Sequence, residues 1–314
     1  MTPTVAQGRV DQLLTNVSIA YLNRSFIADA ILPVVPNLVD ETGKIGSVSN
    51  DHLRIYNSKR SLYDTAVRRL EFSYTQDKSY SIDFFDLDGY VPDRLVSQVK
   101  SPFDVRRDMT LVTQQSLMLE REYALGTALA STAIMTNNVT LSGTDQWSDY
   151  VNSQPEVDIQ TAMDAVFAAT GLEANTFVMS REVLMKLKYH PFFLSQVRGV
   201  RVPSDTDVIT ILKDFFGFKQ VLVGTARYNS AKEGQTETLA AVWGKNAQVL
   251  YVPEVPSLMN KAFGYSFQIA GKNYVVRRRR EPQADKGDLI NVEHARDDHI
   301  LNATAGYLIK SCVA

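Results

Sequence analysis

Large apolar side chains crowd residues 26–39, where Phe26, Ile27, Ile31, Leu32, Val34, Val35, Leu38 and Val39 fall close together. Pro33 and Pro36 break any long helix there and weaken any central strand. The pattern predicts an extended arm that must lie on another surface. Burying each of these side chains contributes roughly 1.5–3 kcal/mol, about 12–24 kcal/mol gross before ordering entropy is subtracted. Either the same chain or an adjacent copy supplies the cover. Further on, Leu70, Phe72 and Tyr74 alternate with polar residues, as do Tyr80, Ile82 and Phe84. The polar run 75–79 between them predicts a β-hairpin turning near Asp77. Two strands alone are marginal in water, so such a hairpin needs a sheet or a neighbour. The stretch before it is basic, with Lys59, Arg60, Arg68 and Arg69.

Ser101-Pro102 predicts the start of a long helix reaching about Met135, with Ser101 as N-cap and Asp104 in the first turn. Val105, Met109, Val112, Ser116, Leu119 and Tyr123 form one stripe on it; Leu111, Met118 and Leu125 form a second. After a polar loop over 136–157, strands and helices alternate, which indicates a layered α/β unit. Helices are expected over 158–170 (Ile159, Met163, Val166 and Phe167 inward), 181–189 and 205–216. Strands are expected over 175–180, 219–223, 239–243 and 248–252. The last third reads as strands over 263–269, 274–280, 289–295 and 304–313.

Composition adds limits. The chain has 314 residues, a net charge of −2 and one cysteine, Cys312. A near-neutral chain is a poor whole-molecule nucleic-acid binder, and one thiol makes no intrachain disulfide. No run is long and apolar enough to cross a bilayer, and residues 1–16 lack a signal-peptide core. Cytosolic synthesis is expected, which leaves the four N-glycosylation sequon matches as chance.

Catalytic and cofactor signatures are absent: no nucleophile elbow, phosphate loop or dinucleotide fingerprint occurs. No catalytic residue, cofactor or metal is expected. His294 and His299 flank Arg296, Asp297 and Asp298 without zinc-motif spacing, and a solvated turn between strands is the preferred reading. Arg277-Arg278-Arg279-Arg280 could clamp phosphates. Alternation along a strand puts only two on each face, which favours an ion-pair network with acids such as Glu281, Asp285, Asp288 and Glu293. Trp147 and Trp243 read as core rather than base-stacking platforms.

The order of elements resembles the major capsid proteins of tailed bacteriophages. It covers essentially the whole length: Phe26-Ile27-Ala28-Asp29-Ala30-Ile31-Leu32-Pro33 in the arm, the hairpin, the helix after Ser101-Pro102, Phe177-Val178-Met179-Ser180-Arg181-Glu182-Val183-Leu184 with His190-Pro191, and Ala305-Gly306-Tyr307-Leu308-Ile309 at the end. The resemblance implies the α+β Hong Kong 97-type fold: an N-terminal arm (1–50), an E-loop hairpin overlapping the adjacent subunit (51–92), a P-domain with its spine helix (93–155), an α/β A-domain (156–255), and strands returning to the P-domain (256–314). It implies a non-enzymatic subunit of an icosahedral head shell, built from hexamers and pentamers and part of the virion. The shell would enclose DNA without sequence-specific binding, contact no membrane, and work with portal and decoration proteins and with a separate scaffold protein or none. Lys59 and Lys78 lie in or near the E-loop, but no covalent crosslink is expected. Intersubunit contacts are expected from Phe26, Ile27, Ile31 and Leu32, and from Arg60, Arg68 and Arg69 against Asp104, Asp108, Glu120 and Glu122. The alternatives are an encapsulin-like compartment around cargo protein, or an enzyme with an unrecognised site within 156–255.

Overall fold

The computed structural model describes residues 9–10, 26–48, 55, 74–99, 104–196, 202–232, 234–256, 262–281 and 286–314. One long strand organises the first sheet. β14 (Gly287–Ile300) pairs along its length with β5 (Asp83–Pro92). Its first half also pairs with β13 (Val275–Glu281), and its end pairs with β12 (Gly264–Ile269). A two-residue β1 (Arg9–Val10) joins β13, and β2 (Val34–Leu38) joins β12 in parallel, completing six strands. β5 therefore belongs to this sheet, although the sequence places it in the E-loop. The charged run from His294 to His299 lies within the strand, not in a turn: His294 to Arg296 pair with β5 and Arg296 to His299 with β12.

The predicted turn at 75–79 is instead strand. β4 (Tyr74–Ser81) pairs antiparallel with β3 (Thr42–Val48), so the ribbon's partner strand lies upstream, in the segment assigned to the arm. Leu70 and Phe72, expected in the hairpin's first strand, lie outside the described residues. At the ribbon's base, Ile45, Tyr80 and Ile82 pack on Tyr265, Phe267 and Ile269, with Tyr80 stacked on Phe267 at 4.8 Å.

A short helix α2 (Asp93–Gln98) leads to the spine helix α3 (Val105–Leu129). Its 25 residues span about 37 Å. The helix starts at Val105, because Asp104 is the cap: its carboxylate accepts the N–H groups of Arg106 and Arg107. The face that α3 turns to its own chain is Thr110, Thr113, Gln114, Leu117, Arg121, Leu125 and Leu129. Leu117 meets Val91, Val276, Ile290 and Val292 of the sheet. The apolar stripe from Val105 to Tyr123 divides: Val105 and Met109 pack on this cluster, whereas Val112 is 58% and Tyr123 44% exposed.

The second sheet has order β6-β15-β11-β7-β8, using β6 (Asn138–Thr140), β7 (Thr176–Ser180), β8 (Gln220–Gly224), β11 (Ala247–Leu250) and β15 (Gly306–Lys310). One face, with Phe177, Met179, Val221, Val249 and Ile309, packs on α4 (Pro155–Thr170), α5 (Arg181–Leu187), α6 (Pro191–Gln196) and α7 (Asp205–Phe216). The other face, with Val178, Leu250 and Leu308, packs on the end of α3 and on the arm. β15 thus closes the α/β layer rather than the first sheet. Phe167, expected inward on α4, is 53% exposed, and Ala162 takes the buried position. A small ribbon of β9 (Arg227–Asn229) and β10 (Leu239–Ala241) completes the layer.

Candidate assembly site

Two adjacent spine residues, Arg121 and Glu122, hold the arm. The arm forms one helical turn, α1 (Ala28–Ile31), with no capping side chain of its own. Glu122 supplies the cap from 95 residues away: it accepts the N–H of Ile27 at 3.1 Å and of Ala28 at 3.0 Å. It also accepts the indole N–H of Trp243 at 2.7 Å. Burial pushes its carboxyl above the usual range, against the pull of these donors. Arg121 donates to Asp298 at 2.8 and 3.0 Å, to Ser266 at 3.2 Å, and to Asp29 of the arm. Burial opposes its charge, yet Asp298 and Asp29 raise its pKa above the ordinary guanidinium value.

This geometry places several residues expected at intersubunit contacts within their own subunit. Ile27, Ile31 and Leu32 are buried against Leu125, Leu129 and Trp243 of their own chain. Their burial contributes about 5–9 kcal/mol gross within the subunit. Phe26 is half-buried. Glu122 is fully buried and engaged by the arm, so it does not reach a neighbour. Asp104 is exposed but occupied as the spine cap. Asp108 and Glu120 are exposed, with no hydrogen-bond or ion-pair partner among the described residues. Arg60, Arg68 and Arg69 lie outside the described residues, as does Lys59.

The four consecutive arginines form an intrachain network. Arg277 pairs with Glu293, Arg278 with Asp288 at 2.7 Å, Arg279 with Asp88 at 3.8 Å, and Arg280 with Asp93 and with Asp288 at 3.4 Å. Arg106 of the spine reaches the same Asp288 at 2.7 Å. Burial works against ionisation of Asp288, but the hydrogen bonds from Arg106 and Arg278 hold its carboxyl below the usual range. The spine is therefore pinned to the sheet at Arg106–Asp288 and at Arg121–Asp298. The sequence marks Arg106 and Arg121 as ion-pair partners on the helix surface; the structure shows the ion pairs but turns both toward the sheet, with Arg121 buried. They sit on a polar buried face that carries no hydrophobic period, and only the position of a charge in register with Leu117 and Leu125 hints at that orientation.

The α/β layer holds one serine–histidine contact, with Ser153 Oγ 3.2 Å from His190 Nε2, both buried. The N–H of Phe192 donates to His190 Nδ1, so the ring proton sits on Nε2 and points at the serine. The serine hydroxyl in turn donates to the carbonyl of Asp149. A histidine in this tautomer does not accept the serine proton, so the pair fastens the loop instead of generating a nucleophile. Trp147 donates to Asp158 at 2.8 Å and Trp243 to Glu122, both as buried core residues. Among the described residues no three His, Cys, Asp or Glu side chains gather as a metal site.

No family model matches the chain. It is 28% identical over 272 residues to the major capsid protein of Pseudomonas phage JBD67, covering 84% of this chain and 82% of the relative. It is 27% identical over 309 residues to the major capsid protein of Burkholderia phage BcepMu, covering 96% and 95%. Among solved structures it superposes on a phage-related protein from Bordetella bronchiseptica with a TM-score of 0.75 and 26% identity, over 97% of this chain and 98% of that one. It also superposes on the capsid structure of cyanophage P-SCSP1u, with a TM-score of 0.57 and 11% identity over 93% and 89%. The holo-SrpI encapsulin complex of Synechococcus elongatus matches with a TM-score of 0.53 and 10% identity over 98% and 92%. The fold is α+β and of the Hong Kong 97 type.

Proposed function

We propose that this chain is the structural subunit of a tailed-phage head, and that copies of it close into an icosahedral shell around double-stranded DNA. The single observation that carries this reading is the near full-length match to a phage major capsid protein, over 96% of this chain. The architecture supports it. The β3–β4 ribbon packs on the first sheet, and ion pairs pin the spine helix to that sheet. The subunit acts by shape and contact rather than by chemistry. Its portal, decoration and scaffold partners, and its synthesis in the host cytoplasm, follow from the same reading. An encapsulin-like compartment shares the fold alone, whereas the full-length sequence relatives are phage capsid proteins.

The shell would confine DNA without reading it, because the four-arginine strand is consumed by its own acids. Register between copies would come from Arg60, Arg68 and Arg69 against Asp108 and Glu120 of an adjacent spine, exposed acids with no hydrogen-bond or ion-pair partner among the described residues. Charge pairs at such overlaps reject wrong registers more than they add affinity. Purified particles from infected cells should contain nuclease-protected double-stranded DNA. Particles holding a cargo protein and no DNA would overturn the assignment.

A further inference from the structure

We propose that the α/β layer carries an anion site for a phosphate-class ligand, at the carboxyl ends of the parallel strands β7 and β8. A cavity of about 320 Å³ opens where β7 passes into α5 and β8 passes toward β9. Arg181, Lys186 and Arg227 line it together with Thr225 and the buried Ser180. Three cations at one cavity need counter-charge. Among the described residues none of the three has a hydrogen-bond or ion-pair partner, in contrast to the fully paired run Arg277–Arg280. Glu182 is the one acidic side chain in the lining, and Val313 and Ala314 border the same cavity. The small residues Ala226 and Ala241 leave room beside them. The crevice beyond the carboxyl ends of parallel strands is where open α/β sheets place ligands. Two guanidinium forks from different elements suit the several oxygens of a phosphate better than a single carboxylate.

The ligand could be a free polyphosphate or a phosphate of a nucleic-acid backbone. Two probes separate these sources: inorganic tripolyphosphate and a short DNA duplex, titrated calorimetrically at low salt into the purified full-length protein. Wild type should bind tripolyphosphate saturably, and Arg181→Ala and Arg227→Ala should each weaken it about tenfold or more. Lys219→Ala, an exposed cation elsewhere in the layer, should change nothing. Loss confined to tripolyphosphate identifies a small free anion, and parallel loss with the duplex identifies backbone phosphate; both outcomes support the site. An unchanged thermal midpoint, and binding retained in Arg181→Lys/Arg227→Lys, separate lost contacts from misfolding. No saturable binding of either probe, or equal binding by wild type and the double alanine variant, overturns the site. So does loss of shell assembly in Arg181→Glu/Arg227→Glu while Arg181→Ala and Arg227→Ala bind tripolyphosphate as wild type does, since the cations then serve a contact between copies.

Discussion

Glu122 and His294 show how single buried residues set the subunit's tolerances. Glu122 satisfies two arm N–H groups and one indole with two oxygens. Glutamine keeps one oxygen and turns an amide N–H₂ toward the remaining donors. Glu122→Gln should therefore lower unfolding free energy by about 1–3 kcal/mol. It should also free the arm for limited proteolysis before the rest of the chain unfolds. Denaturant titration and timed proteolysis measure the two effects; an arm as protected as in wild type would contradict the capping role.

His294 lies buried, stacked on Tyr274 at 4.3 Å, with Arg296 Nη1 3.2 Å from its Nδ1. An arginine only donates, so Nδ1 accepts and the ring proton is left on Nε2, which has no partner among the described residues. Burial first, then Arg296 and Arg121, depress its pKa from 6.5 to about 3. Between those values the unfolded chain holds the extra proton. The stability that neutral His294 supports is complete above about pH 6.5 and is lost as pH falls toward 3, by up to about 1.4 kcal/mol per pH unit. His294→Phe should flatten the fall in unfolding free energy between pH 6 and pH 4 relative to wild type. Parallel curves for the two proteins would show that the imidazole is not the group responsible.

At the scale of elements, the spine and the first sheet approach closely because β5 carries Gly89 beneath the helix. A Cβ there would lie 2.6 Å from Thr113 Oγ1 and 2.7 Å from Met109 Cγ. Gly89→Val should cost about 1–3 kcal/mol by overpacking. The loss should show as a lower thermal midpoint, and an unchanged midpoint would mean the helix rides higher than described.

The elements differ in how well local chemistry announces them. α7 was legible because Ser204 and Asp207 form a capping box and Gly217 ends it at φ 75°. The β4 strand was not, because its polar stretch is held by β3, some thirty residues upstream, and alternation within 70–84 looked like a local hairpin. The spine's place was readable, but it ends at Leu129, short of the expected Met135, and its inward face was not readable. That face is Thr, Gln and Arg held by ion pairs, while the more regular apolar stripe, Val112 to Tyr123, is left outward. The arm's apolar density was read correctly, and its cover was the same subunit for Ile27, Ile31 and Leu32.

For the whole molecule, Ile27, Ile31 and Leu32 of the arm are spent within the subunit, while Val34 and Val39 of the arm and one face of the spine are exposed to neighbours. Reversing charge in Arg68→Glu/Arg69→Glu should leave circular dichroism and thermal midpoint unchanged while cutting the yield of closed particles severalfold. Normal particle yield would remove these arginines from the contact. Charge reversal at Asp108 and Glu120 should reproduce the defect, and combining both reversals should restore part of the yield.

Negative-stain microscopy of the purified full-length protein, expressed alone and with its phage partners, tests the shell assignment most directly. Closed particles of uniform diameter with a thin wall are expected in at least one of the two preparations. A folded chain that sediments as a monomer in both, and shows no particles at any concentration tried, would contradict it.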